Sequence, residues 1–180
     1  VLVAVLVLAG GCGIDAQGEA DRVAPADVPF GLLEEQPTTT ETVSDRTENV
    51  YLVADDRVVA IERSVPDDVG LSDLLELVVD GPSDTERALG ITTAVPEGAV
   101  ASVSSGRGLA EVDLTAAFGE IRGADQLVAL AQIVYTLTAQ PGIGGVIFTL
   151  DGQDVQVPLG DGTVGVEALT RDDLRSLAPT

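Results

Sequence analysis

Leu71-Ser72-Asp73-Leu74-Leu75-Glu76-Leu77-Val78-Val79-Asp80-Gly81-Pro82 is the stretch on which the fold turns. Leu71, Leu74, Leu75, Val78 and Val79 recur at i, i+3, i+4, i+7 and i+8, which sets them on one face of an amphipathic helix. Asp80-Gly81-Pro82 stops it, because Gly accepts a left-handed C′ conformation and Pro cannot continue a helix. Ser83-x-x-Glu86 is a capping box for one more short helical turn, ended by Gly90. Upstream, Val50-Tyr51-Leu52-Val53 reads as a buried strand and residues 57–63 as its hairpin partner, with Ala54-Asp55-Asp56 as the turn. Pro66-Asp67-Asp68 breaks the strand before the helix.

Downstream the pattern repeats. Residues 100–104 pair with 109–114 around Ser105-Gly106-Arg107-Gly108, with Ala110, Val112 and Leu114 inward and Glu111 and Asp113 outward. A second helix is expected over 124–139, with Leu127, Leu130, Ala131, Val134 and Leu137 as its buried stripe and Pro141-Gly142 as its stop. Residues 146–150 and 153–157 form a third hairpin around Asp151-Gly152, the pair favoured in a type I′ turn. A short helix is expected within 166–177. The order ββ-α-ββ-α-ββ predicts an α+β fold: an antiparallel or mixed sheet of hairpins with two main helices packed on one face. No Rossmann-type crossover is expected.

The composition removes whole mechanisms. The 180 residues carry 30 acidic and nine basic side chains, a formal charge of −21, with neither Lys nor His. A chain this acidic repels nucleic acid and anionic lipid head groups. Without His or Lys there is no Ser-His-Asp triad, Ser-Lys dyad, Schiff base or His-built zinc site. The single Cys excludes an internal disulfide, and five aromatics without Trp offer no sugar-stacking platform. Carboxylate chemistry is the enzymatic option that survives, and no cofactor is implied.

The chain opens on Val1-Leu2-Val3-Ala4-Val5-Leu6-Val7-Leu8, then Ala9-Gly10-Gly11-Cys12. As a helix this run is about 17 Å long, short of a hydrocarbon core of about 30 Å. It has the character of a signal-peptide core. Leu8-Ala9-Gly10-Gly11-Cys12 resembles a bacterial lipobox, in which the Cys thiol receives a diacylglycerol. Its Leu stands one place further upstream than in the commonest pattern, and no basic n-region or Met precedes it. The expectation is a slightly truncated or non-Met start. Residues 13–48 carry nine acidic residues and two Arg among Gly, Pro and Thr, a flexible-tether composition with a mean reach of roughly 35 Å. Val28-Pro29-Phe30-Gly31-Leu32-Leu33 is its one apolar patch. The expected organisation is a signal peptide over 1–12 ending at lipidated Cys12, a tether over 13–48, a domain over 49–158 and a tail over 159–180.

Several blocks within that domain resemble the GerMN domain of bacterial sporulation and spore-germination proteins. They are Asn49-Val50-Tyr51-Leu52, Leu74-x-x-Leu77-x-x-Asp80-Gly81-Pro82, Gly90-Ile91-Thr92-Thr93-Ala94-Val95-Pro96, Val112-Asp113-Leu114, Gln132-Ile133-Val134-Tyr135-Thr136-Leu137 and Val146-x-Phe148-x-Leu150-Asp151-Gly152. Leu169-Thr170-Arg171-Asp172-Asp173-Leu174 is similar to the ends of short actinobacterial members. The resemblance implies a non-enzymatic interaction or assembly module of envelope lipoproteins. It marks Tyr51, Asp80, Gly81, Pro82, Pro96, Asp113, Tyr135, Thr136, Asp151 and Gly152 as motif residues. One domain stands here where some members carry a tandem pair or an added propeller.

Each candidate also has a plainer reading. Asp80-Gly81-Pro82 serves as a helix stop, and Asp113 caps the turn that follows its strand. Tyr135 is expected half-buried with its hydroxyl satisfied, and Thr136 bonded back to the backbone. Asp151, Asp154 and Asp161 suggest calcium, but their spacing is not that of an EF-hand, and a solvated acidic hairpin accounts for them. Asp67-Asp68 and Asp172-Asp173 favour helix starts through the macrodipole. Ser104-Ser105-Gly106 lies at a turn with no His base and is rejected as a nucleophile. The leading expectation is a protein held by lipid on Cys12 at the outer face of the bacterial cell membrane, contacting other envelope proteins or itself. The alternatives are a carboxylate-based cell-wall glycan hydrolase or lyase, and a solute- or metal-binding lipoprotein.

Overall fold

The computed structural model describes residues 45–165 and 167–179. Cys12, the signal-peptide run and residues 13–44 of the tether lie outside the described residues.

β1 (Asp45–Ala54) and β2 (Arg57–Pro66) form a long antiparallel hairpin in continuous register from Asp45↔Pro66 to Ala54↔Arg57. Its two-residue turn holds Asp55 at φ 50° and Asp56 at φ 59°. Positive φ at both positions is what a type I′ turn demands, and short polar side chains tolerate it best after Gly. Val50 to Val53 are all buried, so this half of β1 is covered on both faces.

α1 (Leu71–Asp80) buries Leu74, Leu75 and Val78, the centre of the stripe read from the sequence. Asp73 accepts a hydrogen bond from the Gly70 N–H at 2.8 Å and so caps its start. Asp67 and Asp68 lie before that cap. α2 (Asp84–Ala88) has the expected box: Ser83 Oγ accepts from the Glu86 N–H, and Glu86 Oε2 accepts from the Ser83 N–H at 2.8 Å.

β3 (Val100–Gly106) and β4 (Leu109–Leu114) form the second hairpin, its register broken between Val100 and Ser102. The turn is tighter than the four residues expected. Arg107 at φ 55° and Gly108 at φ 85° make it alone. After a short α3 (Ala116–Gly119) comes α4 (Ala124–Leu137), then β5 (Gly145–Leu150). β5 lies parallel to β4, from Leu109↔Gly145 to Leu114↔Leu150. The sheet is therefore mixed, and β4-α4-β5 is a crossover unit of the kind two parallel neighbours require.

β6 (Gln153–Asp154) folds back on β5 to complete the order β3-β4-β5-β6. Asp151 at φ 51° and Gly152 at φ 75° make the expected turn. β7 (Val157–Pro158) and β8 (Val164–Gly165) form a small separate hairpin. The chain then returns to the core. Leu169 exchanges two 2.8 Å backbone bonds with Val146 of β5, and Leu169 and Leu174 are buried. The helix of this segment is one 3₁₀ turn, Arg175–Leu177.

α4 is the centre of the packing. It touches β1, β2, α1 and β5, and every residue from Val128 to Leu137 is buried. The one-sided stripe expected for it is thus only part of what it buries. Each fully buried Leu, Ile or Val contributes about 1.5–3 kcal/mol. The two polar residues in that run, Gln132 and Thr136, need partners within the core.

Candidate functional site

The free edge of β1 shows where those partners are. Main-chain groups of alternate strand residues point the same way, so Tyr51 and Val53 both face away from β2. Val53 exchanges two 2.9 Å bonds with Thr92. Tyr51 is met by side chains of α4 in place of a strand: its N–H donates to Thr136 Oγ1 at 3.0 Å, and its C=O accepts from Gln132 Nε2 at 3.0 Å. Gln132 Oε1 also accepts from the Ala94 N–H at 2.7 Å. Gln140 Nε2 donates to Glu48 Oε2 at 2.8 Å. Gln132 and Thr136 lie one turn apart on one face of α4, so a polar line fastens α4 to β1, and Gln140, in the turn after the helix, adds its bond to Glu48. Thr136 Oγ1 thus bonds a backbone group, as expected, and the group belongs to β1. Gln132 stands in a motif block without being marked as a site residue, although a Gln and a Thr four apart in an apolar helix is the pattern such a fastening leaves.

The two motif tyrosines are interior. The rings of Tyr51 and Tyr135 have centroids 5.4 Å apart, and the guanidinium of Arg171 stands 5.4 and 5.0 Å from them. Arg171 Nε donates to Thr138 Oγ1 at 2.8 Å, and Nη2 donates to the Tyr135 carbonyl at 2.9 Å. Tyr135 is more buried than expected, at 4% exposure, and its hydroxyl donates to the Arg171 carbonyl at 3.4 Å. Burial raises the Tyr135 phenol above its ordinary pKa, against the lowering influence of Arg171.

Asp113 caps a different turn from the one expected. Its Oδ1 accepts from Thr149 Oγ1 and from the Gly152 N–H, both at 2.8 Å, and so ties β4 to the Asp151-Gly152 turn. Parallel pairing brings Asp113 level with Thr149. The exposed side chain of Asp151 takes no part in these bonds.

Gly81 ends α1 at φ 73° and ψ −150°, its N–H donating to the Leu77 carbonyl at 3.2 Å. A Cβ there would stand 2.9 Å from Thr93 Cγ2. Thr93 Oγ1 in turn donates to the Val78 carbonyl at 2.7 Å. Pro82 is buried, Asp80 and Pro96 are exposed, and the Pro96 carbonyl accepts from the Ala99 N–H at 3.2 Å.

Two carboxylates have displaced pKa values, both downward. Arg63 donates twice to Glu86 at 2.7 Å, and this pair, with the Ser83 N–H, holds Glu86 down to about 2. Thr163 donates to Asp161 through its hydroxyl and its N–H and lowers it too. A glycosidase acid needs the opposite displacement. Among the described residues, no three Cys, Asp or Glu side chains gather as a metal set, and no helix is long and apolar enough to cross a membrane. A groove of about 420 Å³ runs between α1 and β3, bordered by Glu76, Asp80 and Glu97.

A family model described as Sporulation and spore germination, named Germane, matches residues 38–156. The chain belongs to the Germane family. Among solved structures, the tandem GerMN domains of the sporulation protein GerM from Bacillus subtilis superpose with a TM-score of 0.59 at 24% identity. That match covers 72% of this chain and 48% of the GerM chain, so the Germane chain spans about half the length of the tandem protein. The first GerMN domain of GerM alone gives a TM-score of 0.54 at 22% identity, covering 71% of this chain and 99% of that one. A Clostridium perfringens protein described as a lipoprotein gives 0.50 at 19% identity, covering 76% and 95%. No curated protein matches the Germane chain in sequence.

Most motif residues now have placements within the Germane domain. Tyr51, Thr136, Asp113, Gly152 and Tyr135 hold elements to one another, and Gly81 ends α1. Asp80, Pro96 and Asp151 are at the surface.

Proposed function

We propose that this chain is a cell-envelope protein anchored by lipid on Cys12, with a Germane domain that acts as a non-enzymatic interaction or assembly module. The observation that carries the reading is the order of segments. A lipobox-like Leu8-Ala9-Gly10-Gly11-Cys12 is followed by an acidic stretch that leads into the family match beginning at residue 38. A thioether-linked diacylglycerol leaves the domain tethered to one membrane face, which suits a protein whose work is contact. Two acyl chains give the stable attachment that one does not. The placements fit a non-enzymatic module, since most motif residues are occupied in packing and capping while Asp80, Pro96 and Asp151 are exposed.

The partners are other envelope proteins or a second copy, and the location is the outer face of the cell membrane. The family supports a sporulation or germination role as the process this module serves, with another envelope complex as the alternative. The charge of −21 sets nucleic acid apart from the partners.

The test is fractionation of cells expressing the full chain and its Cys12→Ser variant. The parent is expected in the membrane pellet and the variant in the soluble fraction. A variant that stays in the pellet would refute the anchor. In-cell crosslinking of the anchored chain is expected to yield defined adducts, and a strictly uncrosslinked monomer would count against the module.

A further inference from the structure

The described sheets have two long open edges, and they differ. β2 carries Arg57, Glu62 and Arg63 and ends on Pro66, the residue types that blunt an edge against strand addition. β3 reads Val-Ala-Ser-Val-Ser-Ser-Gly, with no charge and no proline, and five of its seven residues are exposed. The irregularity between Val100 and Ser102 guards only its start. The two-residue turn fixes the rest. Gly106, Ser104 and Ser102 exchange bonds with β4, so Val103 and Ser105 turn their N–H and C=O groups outward. Among the described residues nothing takes up those groups.

The groove beside this edge completes a site. Its α1 wall presents Val79 between Glu76 and Asp80, Glu97 lies at its end, Val103 lines its β3 side, and no cation borders it. We infer that the β3 edge and the α1 groove together receive an extended segment of a partner protein, added as a strand to Val103 and Ser105, whose alternate side chains are basic.

Backbone bonds to β3 give such a segment its register, and alternate side chains then fall on the α1 side. A Lys or Arg at those places covers Val79 and Val103 with its methylenes while its head reaches Glu76, Asp80 or Glu97. A second copy fits less well. Pairing β3 with β3 would draw two like-charged grooves together on molecules that each carry −21.

The inference rests on the domain being an interaction module. Its test is independent of the anchor, because it reads the amides of Val103 and Ser105 whatever becomes of Cys12. The probe is an acetylated, amidated peptide alternating Lys with Val, titrated into the full chain. The expected result is slower amide exchange at Val103 and Ser105 by about tenfold or more at saturation, with no such effect from the peptide carrying Glu in place of Lys.

Ser105→Pro removes only an outward N–H, so it is expected to keep its melting curve and lose binding about tenfold or more. If that variant does not fold, Glu76→Lys with Glu97→Lys at the surface serves instead and is expected to weaken the Lys peptide to the same extent. Absence of protection at millimolar peptide, or equal binding of the Glu peptide, overturns the inference. So does concentration-dependent dimerisation abolished by Ser105→Pro, which would assign the edge to a second copy.

Discussion

Replacing Gln132 by Leu keeps the volume of a side chain that is fully buried and removes its three hydrogen bonds. The Ala94 N–H and the Tyr51 C=O each lose a partner at 2.7 and 3.0 Å, with nothing apolar in Leu to replace it. An unsatisfied buried group costs about 1–3 kcal/mol. Tyr51 is interior, whereas Ala94 is half-buried and water can reach it, so the second loss falls at the low end. The sum is about 2–4 kcal/mol. For a domain of this size that lowers Tm by about 8–15 °C. It is a large part of the about 5–15 kcal/mol that folded domains possess. Urea unfolding followed by far-UV circular dichroism measures it, with the m-value unchanged if the compactness of both states is preserved. Thr136→Val provides the second arm. It strips the acceptor from the Tyr51 N–H, and because both variants act on one strand residue their effects should be less than additive. A loss below about 0.5 kcal/mol for Gln132→Leu, the range of an ordinary surface change, would refute the claim that α4 holds β1 through this line.

Asp113→Ala should cost about 1–2 kcal/mol through the lost cap on the Gly152 N–H, while Asp113→Asn keeps an acceptor oxygen and should cost less than half as much in thermal melts. Gly81→Ala should cost at least about 1–3 kcal/mol from the backbone conformation alone, with the close Thr93 methyl adding to it; a neutral result in urea would show that the helix end relaxes freely. The Glu86 carboxylate, held at about 2 against an ordinary 4.5, is stabilising above the ordinary value, and that stability is lost as pH falls from about 4.5 through about 2. Acid titration of folding should therefore be shallower in Glu86→Gln than in the parent across that window.

Local order was legible in the residues, and long-range partnership was not. The α1 stripe, the Ser83-Glu86 box and the Asp151-Gly152 turn each depend on neighbours within a few positions, and the structure has them. The parallel pairing of β4 with β5 depends on a crossover of some thirty residues, which hydrophobic period cannot see. Burial of α4 on all sides was missed for a related reason: periodicity finds one apolar face, and this helix meets β1, β2, α1 and β5 at once. Thr136 and Asp113 were recognised as motif residues, but their acceptors serve chain segments 85 and 39 positions away, beyond any local rule. The β3 edge is not visible from the Ser104-Ser105 pair as a candidate nucleophile, because its distinguishing property is the lack of charge along a whole strand.

The return of the chain at Leu169 and Arg171 separates two kinds of boundary. The family match stops at residue 156, whereas the folding unit does not. A fragment cut there would bare the Val146 end of β5 and uncover the tyrosine pair that Arg171 overlies. Such a piece would be a sticky intermediate rather than a smaller domain. However the chain emerges, the free side of β5 stays bare until residues 169–174 are present to cover it.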